Sequence, residues 1–168
     1  MTLKFTVLSL MVVTAIAHAQ TSYAEACYDV SGSIKTKNIS PTAQVGEIDL
    51  TLQNDSGVFF SESGSLDGKV TSSSAELGTT ILDHKVKFPK GNHFKTKGDL
   101  AKITGISGAE QDGTPCAFFV SEAISDIPKG TKMFKNVTSV NVTANGVLNN
   151  CSYLNENVLT LSGKICLK

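Results

Sequence analysis

The stretch Thr79-Thr-Ile-Leu-Asp-His-Lys-Val-Lys-Phe88, Pro89-Lys90-Gly91, Asn92-His-Phe-Lys-Thr-Lys-Gly-Asp-Leu-Ala-Lys-Ile103 reads as a β-hairpin. Two β-rich runs flank a three-residue loop, and a type I turn with Gly91 in the left-handed position suits that length. The register then sets Phe88 opposite Asn92, Val86 opposite Phe94 and Lys85 opposite Lys95. Side chains alternate along a strand, so Val86, Phe88 and Phe94 share a core face. Lys85, Lys87, His93, Lys95 and Lys97 share the other.

Working outward, runs rich in Val, Ile, Thr and Phe recur between Gly, Asn, Asp, Ser and Pro. They place nine strands at Cys27–Lys35, Gly46–Gln53, Val58–Ser61, Gly68–Ser72, Thr79–Phe88, His93–Ile106, Cys116–Ser125, Val137–Leu148 and Val158–Leu167. Only Ser74–Gly78 offers a helical turn, and the Ser- and Gly-rich segment 61–74 reads as turns around a short strand. Parallel strands need crossover helices, and none is legible. The expected fold is therefore all-β, a single antiparallel β-barrel of about eight to nine strands, with a β-sandwich as the alternative.

Residues 1–19 read as a secretory signal peptide, with Lys4, an apolar core from Phe5 to Ala17 and an Ala17-His18-Ala19 cleavage motif. That core is shorter than the roughly 20 residues of a membrane span, so no transmembrane segment is expected. Export, whether secreted or periplasmic, would deliver residues 20–168 as one domain to an oxidising compartment. Its four cysteines then read as two disulfides. Cys27 opens the first strand and Cys166 closes the last, ends that neighbour each other in a closed antiparallel sheet. Cys116 with Cys151 would tie the base of a long hairpin. Cys151–Cys166 across a turn near Asn155–Asn157 is the competing arrangement.

After residue 19 the chain carries 14 Lys against 15 acidic residues and no Arg or Trp. That balance lacks the basic footprint of a nucleic-acid binder, and none is expected as a partner. Without Arg there is no bidentate phosphate clamp. No Gly-x-Ser-x-Gly elbow, P-loop or dinucleotide fingerprint occurs, so no cofactor is expected. His84 and His93 are the only histidines after the leader, and with the cysteines consumed no metal site is expected.

Two features carry chemistry. The lysine face has a docking reading, for an anionic partner, and a plainer one. In the plainer reading it is a solvated outer face balanced by acids such as Asp49, Glu62 or Asp99, because like charges across a ladder repel. The second feature is Phe118-Phe-Val-Ser-Glu-Ala-Ile124, where alternation puts Glu122 with Phe118, Val120 and Ile124. If that face lines a lumen, Glu122 is a carboxylate among apolar ligand-binding side chains, able to act as a general acid or an anchor. The opposite parity would instead turn Ala117, Phe119, Ser121 and Ala123 inward.

At Phe94-Lys-Thr-Lys-Gly-Asp-Leu-Ala-Lys-Ile-Thr-Gly105 and Gly130-Thr-Lys-Met-Phe-Lys-Asn-Val-Thr138 the chain resembles the calycin-like barrels of allene oxide cyclase and dirigent proteins. Gly130, Thr131 and Phe134 match a Gly-Thr-Gly-x-Phe-x-x-Ala-x-Gly-like turn, whereas Lys132, Val137 and Ser139 depart from it. The resemblance covers about a third of the chain after the leader. It implies an antiparallel barrel whose lumen suits an apolar small molecule. In that family the barrel cyclises an epoxy fatty acid or steers phenolic radical coupling, and no catalytic residue carries over.

The expected function is that of an exported small barrel that binds a small apolar or lipid-like ligand without catalysis. The alternatives are a cyclase or isomerase using Glu122, and a structural or adhesive envelope protein. The poor alternation of Gln20-Thr-Ser-Tyr-Ala-Glu-Ala26 disfavours donor-strand exchange.

Overall fold

A computed structural model describes residues 24–168, and the expected leader lies outside the described residues. Ten strands run in order: β1 (Ala26–Ser40), β2 (Ala43–Asn54), β3 (Gly57–Ser74), β4 (Thr79–Lys87), β5 (His93–Lys95), β6 (Asp99–Ala109), β7 (Pro115–Ile124), β8 (Lys129–Gly130), β9 (Val137–Asn149) and β10 (Asn157–Leu167). Eight of them close an antiparallel ring, β1-β2-β3-β4-β6-β7-β9-β10, and β10 pairs back onto β1. The short strands β5 and β8 sit outside the ring, β5 against β4 and β8 against β5. Closure runs through β3 and β4, from Ser65 opposite Lys87 to Ser74 opposite Thr79, which rules out the sandwich.

The hairpin register is as expected, with Lys85 opposite Lys95 and Val86 opposite Phe94, and the Phe88 amide donating to the Asn92 carbonyl at 2.8 Å. Its turn, Pro89–Gly91, is a 3-10 turn in which Lys90 as well as Gly91 is left-handed. Two expected boundaries are corrected. Val58–Ser61 and Gly68–Ser72 belong to one long strand, β3, because Ser61, Ser63, Ser65, Asp67 and Lys69 face solvent while Leu66, Gly68 and Val70 face inward. The Gly and Ser residues there are strand positions, not turns. His93–Ile106 is not continuous: Thr96-Lys97-Gly98 breaks it, with Gly98 at φ +72°, where the chain leaves β5 and enters the ring as β6.

Apolar side chains fill the inside. Val30, Ile34, Leu50, Leu66, Leu159 and Leu161 are buried on the inner face, while most partners of opposite parity are polar and exposed. An eight-stranded ring has an interior wide enough for side chains or one small ligand. One end is plugged. The segment 125–136 crosses beneath it, and its 3-10 portion Lys132–Asn136 delivers Phe134, 1% exposed, among Phe60, Phe88 and Phe94 at ring separations of 4.8–5.9 Å. The disulfide Cys27–Cys166 joins directly opposed residues of β1 and β10 toward this end. Cys116–Cys151 ties the start of β7 to the chain just beyond β9, at the other end. Both pairs are the favoured arrangement, so the Cys151–Cys166 alternative is excluded.

Candidate functional site

A belt of polar side chains crosses the barrel between its apolar interior and its open end. Each member sits at an inward position of its strand or next to one: Thr36 on β1, Gln44 on β2, His84 on β4, Asp99 at the start of β6, Glu122 on β7 and Asn157 at the start of β10. All six are buried, with Asp99 at 0%, Glu122 at 5% and His84 at 6% exposure. The belt is continuous. Thr36 Oγ1 donates to Gln44 Oε1 at 2.7 Å, and the Asn157 amide donates to both Thr36 and Gln44 at 3.1 and 3.2 Å. The Gln44 amide nitrogen reaches His84 Nε2 at 3.4 Å. His84 Nδ1 lies 2.8 Å from Asp99 Oδ2 and 3.5 Å from Glu122 Oε1. Thr96 donates its hydroxyl to Asp99.

Gly68 makes the middle of this chain possible. It lies on β3 between Gln44 of β2 and His84 of β4, opposite both. A Cβ there would stand 2.6 Å from Gln44 Cγ and 3.0 Å from His84 Cδ2. Only glycine lets the two side chains meet over the strand that separates them.

Burial sets the electrostatics. It pushes the Glu122 carboxyl above its ordinary range; His84 opposes that shift and Asp99 adds to it. Burial pulls His84 down, but its bond to Asp99 and the charges of Glu122, Asp99 and Asp83 outweigh this, and the imidazole is raised overall. Asp99 Oδ1 and Glu122 Oε1 are buried without a hydrogen-bond partner. Buried carboxylate oxygens in that condition are costly.

The belt separates two spaces. Beneath it, Glu122, His84, Ile124 and Phe134 help line a cavity of about 50 Å³, room for only a few waters. Above it lies a cavity of about 550 Å³ at the barrel mouth, lined by Ile39, Gln44, Val70, Leu82, Leu148 and Asn150 among others. A side chamber of about 140 Å³ shares Thr80, Leu148 and Asn150 with it and adds Phe118 and Val120. The Asn38 side chain steadies the rim through the Asn149 carbonyl at 3.0 Å and Asn150 Oδ1 at 2.6 Å.

Glu122, Phe118, Val120 and Ile124 thus share the inner face, but not one site. Phe118 and Val120 face the mouth, Ile124 faces the small lower cavity, and Glu122 stands between them in the belt. Of the basic face, Lys85, Lys87, Lys95 and Lys97 are exposed, whereas His93 is half-buried with Nδ1 3.0 Å from Thr131 Oγ1. Lys129 joins the row, directly opposite Lys95 on β8. The acids assigned to balance it are corrected: Asp99 is inside the barrel, the Glu62 carboxylate is partly buried, and Asp49 is bound by Ser33 and Ser63. Asp67, across from Lys85 on β3, takes that place.

Gln44, Thr36 and Asn157 are site residues absent from the sequence reading, in which Asp99 is a counter-charge of the lysine face and His84 is set aside as a metal ligand. One signal was available, since His84 has the parity of Val86 and Phe88 and so belongs to the core face of the hairpin. No family model, curated protein or solved structure matches the chain.

Proposed function

We propose that this protein is an exported calyx that takes up one small, largely apolar molecule through the barrel mouth. The polar end of that molecule would settle against Gln44 and Asn38. The observation that carries this is the mouth cavity, about 550 Å³, walled by Ile39, Val70, Leu82 and Leu148 with Gln44 and Asn38 as convergent polar groups. That size falls within the roughly 300–1,000 Å³ of small-molecule sites, which join apolar walls to a few placed polar groups. Two disulfides are compatible with an oxidising extracellular or periplasmic setting. The belt favours binding over turnover, because Glu122 faces the small lower cavity and does not line the mouth.

Val70 and Thr80 line the mouth without being fully buried, so they can be enlarged with little disturbance to the core. Titration with a fluorescent medium-chain fatty acid is expected to saturate at one probe per chain, and Val70→Phe with Thr80→Phe to weaken uptake about tenfold or more, the loss of roughly one well-buried side chain's contacts. Uptake that does not saturate, or that the filled mouth leaves unchanged, would contradict the proposal.

A further inference from the structure

The corner of the belt formed by His84, Asp99 and Glu122 has a chemistry that a bound apolar molecule in the mouth does not use. We propose that these three side chains, brought together by β4, β6 and β7, form a site for one divalent first-row metal ion of the Zn²⁺ class.

The donor set is one imidazole and two carboxylates, whose ligating atoms lie within 4.8 Å of one another. Tetrahedral Zn²⁺ at its usual 2.0–2.2 Å bonds needs donors about 3.3–3.6 Å apart. Nδ1 and Glu122 Oε1 are already 3.5 Å apart, while the 2.8 Å contact of Nδ1 with Asp99 Oδ2 must open a little. The second observation is independent of the clustering. Asp99 Oδ1 and Glu122 Oε1 are unpartnered although both side chains are more than nine-tenths buried. Among the described residues His84 is the only cationic side chain within 4 Å of either carboxylate. An ion would supply the charge this corner lacks.

The supporting shell is present too. Thr96 donates its hydroxyl to Asp99. Such outer contacts orient metal ligands. Of the three ligands only His84 reaches the outside, at a surface pocket of about 280 Å³ where β4 changes partner from β5 to β6, lined also by Thr96, Asp67 and Asp83 and by Lys69, Lys85 and Lys95. His84 therefore touches both the interior and this window. The fourth coordination position would fall to a water, as in sites with three protein ligands.

The test uses tag-free, disulfide-intact protein stripped with a chelator and titrated with Co²⁺, whose visible d–d bands report coordination, followed by Zn²⁺ competition. One ion per chain is expected, displaced by Zn²⁺, with a rise in the thermal midpoint. Glu122→Gln and Asp99→Asn, tested separately so that one misfolded variant does not decide the matter, should each weaken binding about tenfold or more, at least the loss seen for outer-shell partners. His93→Gln, which removes the other histidine, should leave it unchanged. Absence of stoichiometric binding overturns the proposal, as does binding that survives both carboxylate substitutions or is lost with His93.

Discussion

Whereas the plugged end of the barrel is filled by Phe60, Phe88, Phe94 and Phe134, the mouth is ringed by Asn38, Gln44, Thr80 and Asn150 around a cavity of about 550 Å³. The same eight strands, with the same inward alternation, make both ends. What differs is the connecting chain. At the plugged end a long excursion, residues 125–136, passes under the ring and inserts Phe134. At the mouth the turns between β1 and β2 and between β3 and β4 are short and cross nothing. Packed aromatic rings contribute dispersion and area burial together, and an apolar-walled space forgoes them. The plugged end thus serves stability, and the mouth keeps space that stability alone would close.

The largest effect expected is on the seam. Removing Cys27 and Cys166 together frees a loop of 139 residues, worth roughly 4–5 kcal/mol in the loop-entropy model, against a smaller loss for Cys116 and Cys151 at separation 35. Denaturant unfolding of the two double-serine variants checks the order; equal losses would break it. Phe134→Ala should cost about 3–5 kcal/mol, as large-to-alanine changes in cores do. It should do so without altering probe uptake at the mouth under folding conditions. If uptake falls in parallel, the two ends are not independent.

The belt sharpens the comparison. Gly68→Ala forces Gln44 and His84 apart and should cost about 1–3 kcal/mol, the range for overpacked cores. Glu122→Gln has the opposite sign: it replaces a carboxylate whose charge burial disfavours with a neutral amide of the same shape, and the metal-free protein should gain on the order of 1 kcal/mol. Both are read from denaturation midpoints at neutral pH. The smallest change lies on the outer wall. Lys95 stands between Lys85 and Lys129, so Lys95→Thr should stabilise by about 0.2–1 kcal/mol through relief of cross-strand repulsion, less at high salt.

Local rules make much of this legible in the chain. The Lys85–Lys95 register follows from turn length, and the shared face of Phe118, Val120, Glu122 and Ile124 from strict alternation. The Cys27–Cys166 pair follows from the meeting of first and last strands, and Cys116–Cys151 from the base of a long hairpin. Which parity of the Glu122 strand faces inward does not follow from them. What local rules miss is set by distant partners. Gly68 reads only as the first residue of a short strand until Gln44 and His84 are seen to meet across it. Asp99 follows a lysine-rich strand and looks like its counter-charge, but the break at Gly98 turns it into the ring. His84 finds Glu122 only because β4 and β7 lie on either side of β6, a relation that depends on closure and not on spacing along the chain.

Native mass spectrometry of the disulfide-intact protein, purified without detergent and incubated with a mixture of fatty acids and small isoprenoids, tests the central claim most directly. The account predicts one small-molecule adduct per chain, absent when Val70 and Thr80 are both replaced by Phe. A chain that stays bare throughout, or an adduct indifferent to the filled mouth, would contradict it.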